Sequence, residues 1–254
     1  MKRDTRNSIH TTKSNTYAVI LAGGVGSRFW PLSREISPKH LLKFYNQESL
    51  LQQTIKRIIP LISPAQIYVI TNNLHKFELT QQASIFGIPE GNIIIEPEGK
   101  NTAPAIGLAA VSIIKKAIDP TLIILPADHH IANNKKFISA LKTAVNTAKD
   151  NYIVTLGIKP TSPATGYGYI KINDKLPISN VKCYKIKKFI EKPDLKKAKE
   201  YSKDKRYFWN SGMFIVKAKV ILNEIKRYLP KLHRELAKIA KGEDIQKIYE
   251  NLDS

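Results

Sequence analysis

The chain has 254 residues, of which 43% are hydrophobic and 24% charged. This composition excludes a collagen-like or wholly disordered polypeptide, and the length suffices to bury a sizeable core. Lys and Arg number 41 against 21 Asp and Glu, giving a formal charge of +20 that favours anionic ligands.

No nucleic-acid-binding motif accompanies the charge, so a lysine-rich solvated surface is the preferred reading and no nucleic-acid partner is expected. The single cysteine, Cys183, excludes an internal disulfide and a thiolate zinc site, and predicts a reducing compartment. Residues 1–15 are polar and lack the apolar core of a secretory signal, which predicts a disordered leader on a cytoplasmic protein. The sequence contains no run of about 18 apolar residues, so no membrane-spanning helix is expected.

In chain order, Tyr17–Leu21 is a short apolar run that stops at Gly23-Gly24, predicting a buried strand that feeds a glycine loop. Leu50, Leu51, Ile55, Ile58 and Ile59 recur at helical spacing over 49–59. Ile67–Ile70 and Ile93–Ile95 read as the second and third strands, with a helix over 76–86 between them. Asn101-Thr102 offers a helix cap and Pro104 suits a first turn, so a helix is expected through Ile106, Ala109, Ala110, Ile113 and Ile114. Leu122–Leu125 is a fourth strand ending at Pro126, followed by a helix over 137–148 and a strand over 153–156.

Strands alternating with helices, without a fixed repeat, predict a parallel sheet covered on both faces. Beyond Gly157, further strands are expected at Tyr167–Ile172, Lys187–Ile190 and Met213–Val216, set among lysine-rich helices, with a helical stretch over 219–251. The chain shows no clear linker in this half.

The segment richest in chemistry is Leu21-Ala-Gly-Gly-Val-Gly-Ser-Arg-Phe-Trp-Pro-Leu-Ser-Arg-Glu-Ile-Ser-Pro-Lys39. Glycines after a strand let backbone N–H groups approach phosphate oxygens. Arg28 can neutralise an anion through paired hydrogen bonds and Lys39 as a point charge. Gly24-Val25-Gly26 alone reads equally well as a packing corner. The dinucleotide fingerprint fails because Phe29 stands where Gly or Ala is required, and Gly99-Lys100-Asn101 lacks the hydroxyl of a Walker loop.

As a whole, this segment resembles the signature of sugar-1-phosphate nucleotidyltransferases, Leu-Ala-Gly-Gly-x-Gly-x-Arg followed by Pro-Leu and Pro-Lys. Its Phe29-Trp-Pro-Leu-Ser-Arg34 form, with the later segments in the expected order, is similar to the bacterial mannose-1-phosphate guanylyltransferases. The resemblance runs from Tyr17 to the end. It implies a Rossmann-like α/β domain over 16–254, with a mixed, mainly parallel central sheet and helices on both faces.

For the nucleotide, the resemblance implies contacts from Leu21, Ala22, Gly23, Gly24, Gly26, Ser27 and Arg28. Glu96, Asn101 and Thr102 join them, from Glu96-Pro-Glu-Gly-Lys-Asn-Thr-Ala-Pro-Ala-Ile106, where a helix N-terminus would aim N–H donors at the ligand. Asp128, in Leu125-Pro-Ala-Asp-His-His-Ile131, follows a predicted strand; its carboxylate suits Mg²⁺, and the matching family aspartate binds that metal. Zinc is disfavoured, since the adjacent His129 and His130 point apart and a third ligand is not evident.

Gly166–Ile170, Glu191-Lys192-Pro193 and Asn210–Phe214 resemble the family's sugar-phosphate pocket. Gly168, Glu191 and Asn210 would bind the sugar hydroxyls, and Lys192 the phosphate. Arg28, Lys39 and Asp128 are the implied catalytic residues. GTP and mannose 1-phosphate are the implied substrates and Mg²⁺ the implied cofactor.

Two departures from the family pattern stand out. A second metal-binding aspartate normally lies on a strand after the C-terminal helices, and Asp253 is not a convincing replacement. The chain is therefore expected to be a truncated amino-terminal catalytic domain, with a homodimer possible where a C-terminal region is present. His40 stands where glutamine often follows the Pro-Lys pair. Competing readings are a nucleotidyltransferase for another base or sugar, a non-catalytic nucleotide-sugar-binding subunit, and a basic nucleic-acid-binding protein.

Overall fold

The computed structural model describes residues 15–23, 38–43, 47–175, 183–250 and 252. The leader through residue 14, the loop residues Gly24, Gly26, Ser27 and Arg28, and Asp253 lie outside the described residues.

Alternation with period two builds the sheet. In β1 (Thr16–Leu21), Ala18 and Ile20 face one side while Tyr17, Val19 and Leu21 face the other. The same split runs through β2 (Ile67–Asn72) and β4 (Thr121–Pro126), where Val69 and Leu125 share the first side and Ile70 and Ile124 the second. Both sides are apolar because both are covered, as a parallel sheet requires. β3 (Ile93–Glu96) extends the parallel set, giving the spatial order β3-β2-β1-β4.

The first face is packed by α1 (Leu50–Ile58), α2 (Lys76–Ser84) and α4 (Asn134–Ala148). A capping box starts α1: Gln52 N donates to Ser49 Oγ at 3.1 Å and Ser49 N donates to Gln52 Oε1 at 3.0 Å. The second face is packed by α3 (Thr102–Ile114) and α6 (Ala218–Tyr228). The opposite side of α3, through Leu108 and Val111, meets α7 (Pro230–Ala240) and α8 (Ile245–Glu250) in a further apolar layer. Gly107 permits that approach, since a Cβ there would collide with Leu236 of α7. The expected helical stretch over 219–251 is thus three helices, with Pro230 opening α7 and Gly242, at φ 97°, following it.

The second half adds β5 (Val154–Ile158), β6 (Tyr169–Lys175), β7 (Tyr184–Ile190), α5 (Leu195–Lys203) and β8 (Tyr207–Lys217). These strands pair antiparallel, completing a mixed eight-stranded sheet. β8 differs from expectation. The strand expected over 213–216 starts six residues earlier, so that Asn210-Ser211-Gly212 lies inside an eleven-residue strand. Residues 207–209 pair with β6 and 214–217 with β4; Gly212, at φ 69°, lies between the two pairings in a conformation that disfavours a Cβ. Among the described residues, no helix is long and apolar enough to cross a membrane.

Candidate functional site

The chain passes from β1 to β2 and β3 on one side, then places β4 on the other side of β1. The carboxyl ends of β1 and β4 therefore flank the point where strand order reverses, the usual ligand crevice of an open α/β sheet. Leu21 pairs with Pro126 in register, and Ala127 N donates to Leu21 O at 3.0 Å. Ala22 N donates to Ile70 O at 2.8 Å, and the buried Thr71 hydroxyl donates to Ala22 O at 3.3 Å. Backbone bonds from both neighbouring strands thus fix Ala22 and Ala127, and Gly23 and Asp128 leave the sheet beside one another.

Lys39 opens a 3-10 turn, Lys39–Leu41, whose next two side chains, His40 and Leu41, are buried. That anchoring directs Lys39 to Asp128, where Nζ lies 3.2 Å from Oδ2. The pair joins residues 89 positions apart, and both side chains keep partial exposure. Behind it, Thr54 of α1 donates to Ala127 O at 3.3 Å. Arg57, also on α1, donates to Asn134 Oδ1 at 3.2 Å and lies 5.9 Å from the Phe137 ring centroid.

Three imidazoles back this corner. His40 and His75 are both buried, with ring centroids 5.9 Å apart in edge-to-face contact. Burial, reinforced by the charge of His75 and opposed by Asp128, lowers the His40 pKa to about 4. His129 is also lowered, chiefly by burial. His40 Nε2 and His129 Nδ1 are buried with no hydrogen-bond partner among the described residues. Among those residues, no set of three or more His, Cys, Asp or Glu side chains is gathered to hold a metal. Asp128 is the carboxylate available at the crevice.

On the nucleotide side, Glu96 ends β3 and is only 5% exposed. A Cβ on Gly23 would stand 3.6 Å from Glu96 Oε2, so these two sequence-predicted residues are neighbours. Burial raises the Glu96 carboxyl to about 7, against a hydrogen bond from Tyr249. Asn101 occupies the cap position of α3 but does not cap it. Its backbone stands at φ 69° and ψ −172° rather than in the extended region a capping residue adopts, and its side chain makes no hydrogen bond to the helix. Thr102, the first residue of α3, is exposed.

The sugar-side residues also converge. Asn210 N donates to Gly168 O at 2.8 Å. A Cβ on Gly168 would fall 3.0 Å from Glu191 Oε2 and 2.9 Å from Phe189 Cζ, so the glycine makes room for that carboxylate. Lys192 pairs with Glu191 at 3.2 Å and has a left-handed backbone, φ 40°. A Cβ on Gly212 would lie 3.6 Å from Pro126 Cγ, two residues before Asp128. β8 thereby links the sugar-side set to the phosphate-side corner.

On the sugar side, Thr155 and Trp209 were not singled out by sequence. Thr155 Oγ1 lies 3.0 Å from the side-chain amide of Asn210 and 2.8 Å from the Met213 carbonyl oxygen. The hydroxyl has one proton, and the carbonyl can only accept it. The Asn210 side chain presents its Oδ1 to the same hydroxyl, so the one proton serves Asn210 Oδ1 or Met213 O in turn. Trp209 packs edge-to-face on the exposed Tyr167 at 5.0 Å, and its indole N–H has no partner among the described residues. The tyrosines of Tyr167-Gly168-Tyr169 are the local signal that could point to Trp209; nothing in the local sequence marks Thr155.

The family model for nucleotidyl transferases matches residues 17–251. A mannose-1-phosphate guanylyltransferase of Klebsiella pneumoniae is 43% identical over 215 residues, covering 84% of this chain and 45% of its own. Another, RfbM of Salmonella typhimurium, is 44% identical over 222 residues, 87% of this chain and 46% of its own. The chain thus spans about half the length of the curated relatives it matches. The crystal structure of mannose-1-phosphate geranyltransferase from Thermus thermophilus superposes with a TM-score of 0.86 at 33% identity, covering 94% of this chain and 68% of its own. With a family model spanning nearly all of the chain and a strand-order reversal flanked by Gly23, Lys39 and Asp128, the chain belongs to the nucleotidyl transferase family.

Proposed function

We propose that the chain transfers GMP from GTP to α-mannose 1-phosphate, giving GDP-mannose and pyrophosphate. The relatives' names supply the substrates. The observation that carries the reading is the meeting of Lys39 and Asp128, at 3.2 Å, at the strand-order reversal beside Gly23. A phosphate-phosphate exchange needs charge neutralised at that place, and the two residues supply a cation and a ligand for a second one.

The phosphate oxygen of the sugar is already anionic at neutral pH, so it attacks the α-phosphorus without a catalytic base. The new O–P bond forms as the bond to the pyrophosphate oxygen breaks on the opposite side. Catalysis is then positioning and charge stabilisation. The backbone from Gly23 to Gly26 and Arg28 hold the triphosphate, with Leu21, Ala22 and Ser27 beside them. Lys39 neutralises phosphate charge.

A divalent cation, Mg²⁺ by preference, fits the donor present. Asp128 is a hard oxygen ligand, half exposed at the crevice, and such ions keep several places for phosphate and water. Held by Asp128, the ion would supply charge neutralisation to the phosphates. Glu96, with Asn101 and Thr102, binds the base and ribose; when ionised, its carboxylate accepts from the N1–H and amino group of guanine. Gly168, Glu191 and Asn210 bind mannose, with Lys192 at its phosphate.

Asp128→Asn is the test. Turnover with Mg²⁺ is expected to fall by a factor of about 100 or more, the usual effect of removing one charge-stabilising group from a transition state, while the thermal midpoint stays within a few degrees. Normal Mg²⁺-dependent turnover in that variant refutes the assignment.

A further inference from the structure

Among the described residues, Glu96 is the one acid in the buried set. A carboxyl there is costly unless its oxygens find donors. Oε1 accepts from the Tyr249 hydroxyl at 3.3 Å, while Oε2 faces Gly23. Tyr249 lies 153 positions away on α8, and its ring is 1% exposed. A second tether runs in parallel. Lys100 Nζ donates to Leu252 O at 2.8 Å and pairs with Glu98 at 3.0 Å. Ile248, Tyr249 and Leu252 are seated in the apolar layer with Leu108 and Val111 of α3. The loop between β3 and α3 is therefore fastened at Glu96 and at Lys100 to one short segment at the far end of the chain.

We infer that Tyr249 is a positioning residue for the nucleotide: its hydroxyl orients the Glu96 carboxyl, and α8 braces the loop that receives the base. This rests on the reading of Glu96 as a nucleotide ligand. A phenylalanine would fill the same space, so packing alone does not account for the hydroxyl. The titratable groups set around Glu96 among the described residues are Tyr249 from α8 and, from its own loop, Glu98 and Lys100, which pair with each other. β2 places the neutral Asn72 opposite it, and the segment after β1 places Gly23 there. Burial lifts the Glu96 carboxyl to about 7, and the Tyr249 hydrogen bond pulls it down. The phenol itself is held above its ordinary value by burial and by Glu96, so it remains a donor throughout the neutral range.

The test is Tyr249→Phe beside the parent chain and Glu96→Gln. The Glu96 carboxyl is titrated by carbon NMR without nucleotide, and the GTP dissociation constant is measured by calorimetry from pH 6 to 9. In Tyr249→Phe the Glu96 midpoint is expected to rise, because the ionised form no longer has that donor. GTP binding is expected to weaken roughly tenfold at pH 7, as for the removal of one hydrogen bond to a charged group, and to recover as pH rises towards 9. An unchanged Glu96 midpoint, or a weakening equal at every pH, overturns the positioning role. If Glu96→Gln binds GTP as tightly as the parent, the reading of Glu96 itself fails and the inference falls with it. If Glu96→Gln weakens binding while Tyr249→Phe changes nothing, the inference alone fails.

Discussion

At φ 69° and ψ −172°, Asn101 occupies backbone space that is nearly reserved for glycine, at a cost of about 1–3 kcal/mol. Strain of this kind persists where a ligand uses the side chain, so Asn101→Gly is expected to raise the thermal midpoint by a few degrees while weakening GTP binding. A gain in stability with unchanged affinity removes Asn101 from the site. His40 carries a different residue-scale prediction. Its folded pKa of about 4 lies below the ordinary 6.5, so the folded state takes up the proton later than the unfolded chain. Its contribution is present above pH 6.5 and lost as pH falls towards 4, about 3 kcal/mol in all. His40→Gln should therefore narrow the gap between thermal midpoints at pH 7.5 and pH 4.5 by several degrees. An unchanged gap contradicts a neutral, buried His40. Glu96 works in the opposite sense, its raised carboxyl favouring the fold below pH 4.5 and ceasing to do so as pH rises through 7; this background is common to both chains.

Among the elements, β8 shows where sequence reading stops. Residues 213–216 are a continuous apolar run and were legible as strand. Asn210-Ser211-Gly212 carries turn residues, and its pairing partners, β6 and then β4 along one edge and β5 along the other, explain why it is strand with one left-handed glycine. Lys39 and Asp128 were legible because each lies in a segment with a strong local signature. Thr155, Trp209 and Tyr249 were not, since their significance lies in residues distant in sequence. Asn101 was placed correctly at the start of α3, but its expected role as a cap fails on a backbone angle that residue type does not encode. Two substitutions test the arrangement around β8. Gly168→Ala places a methyl group 3.0 Å from Glu191 Oε2 and should raise KM for the sugar phosphate several-fold with little change in KM for GTP. Thr155→Val keeps the shape but removes the partner that orients the Asn210 amide, and should do the same. Thr155→Ser should restore the parent value. Loss confined to GTP binding in either variant would misplace the sugar pocket.

For the whole molecule, the apolar periodicities were enough to predict both faces of the sheet and its parallel half, because each strand there is buried twice over. The antiparallel half was less legible: β7 is an exposed, lysine-bearing strand at the sheet edge, with no continuous apolar run to announce its full length. The +20 charge acts at this scale also, and it steers anions by a field that salt screens. The GTP association rate should therefore fall on going from about 0.05 to 0.5 M salt.

The central claim is guanylyl transfer to mannose 1-phosphate, and pyrophosphate release tests it most directly. The purified chain is given Mg²⁺, mannose 1-phosphate and each of the four nucleoside triphosphates in turn. Release that depends on the sugar phosphate and is confined to GTP is the predicted result. Release with a different nucleotide, or none with any of them, contradicts the account for this chain.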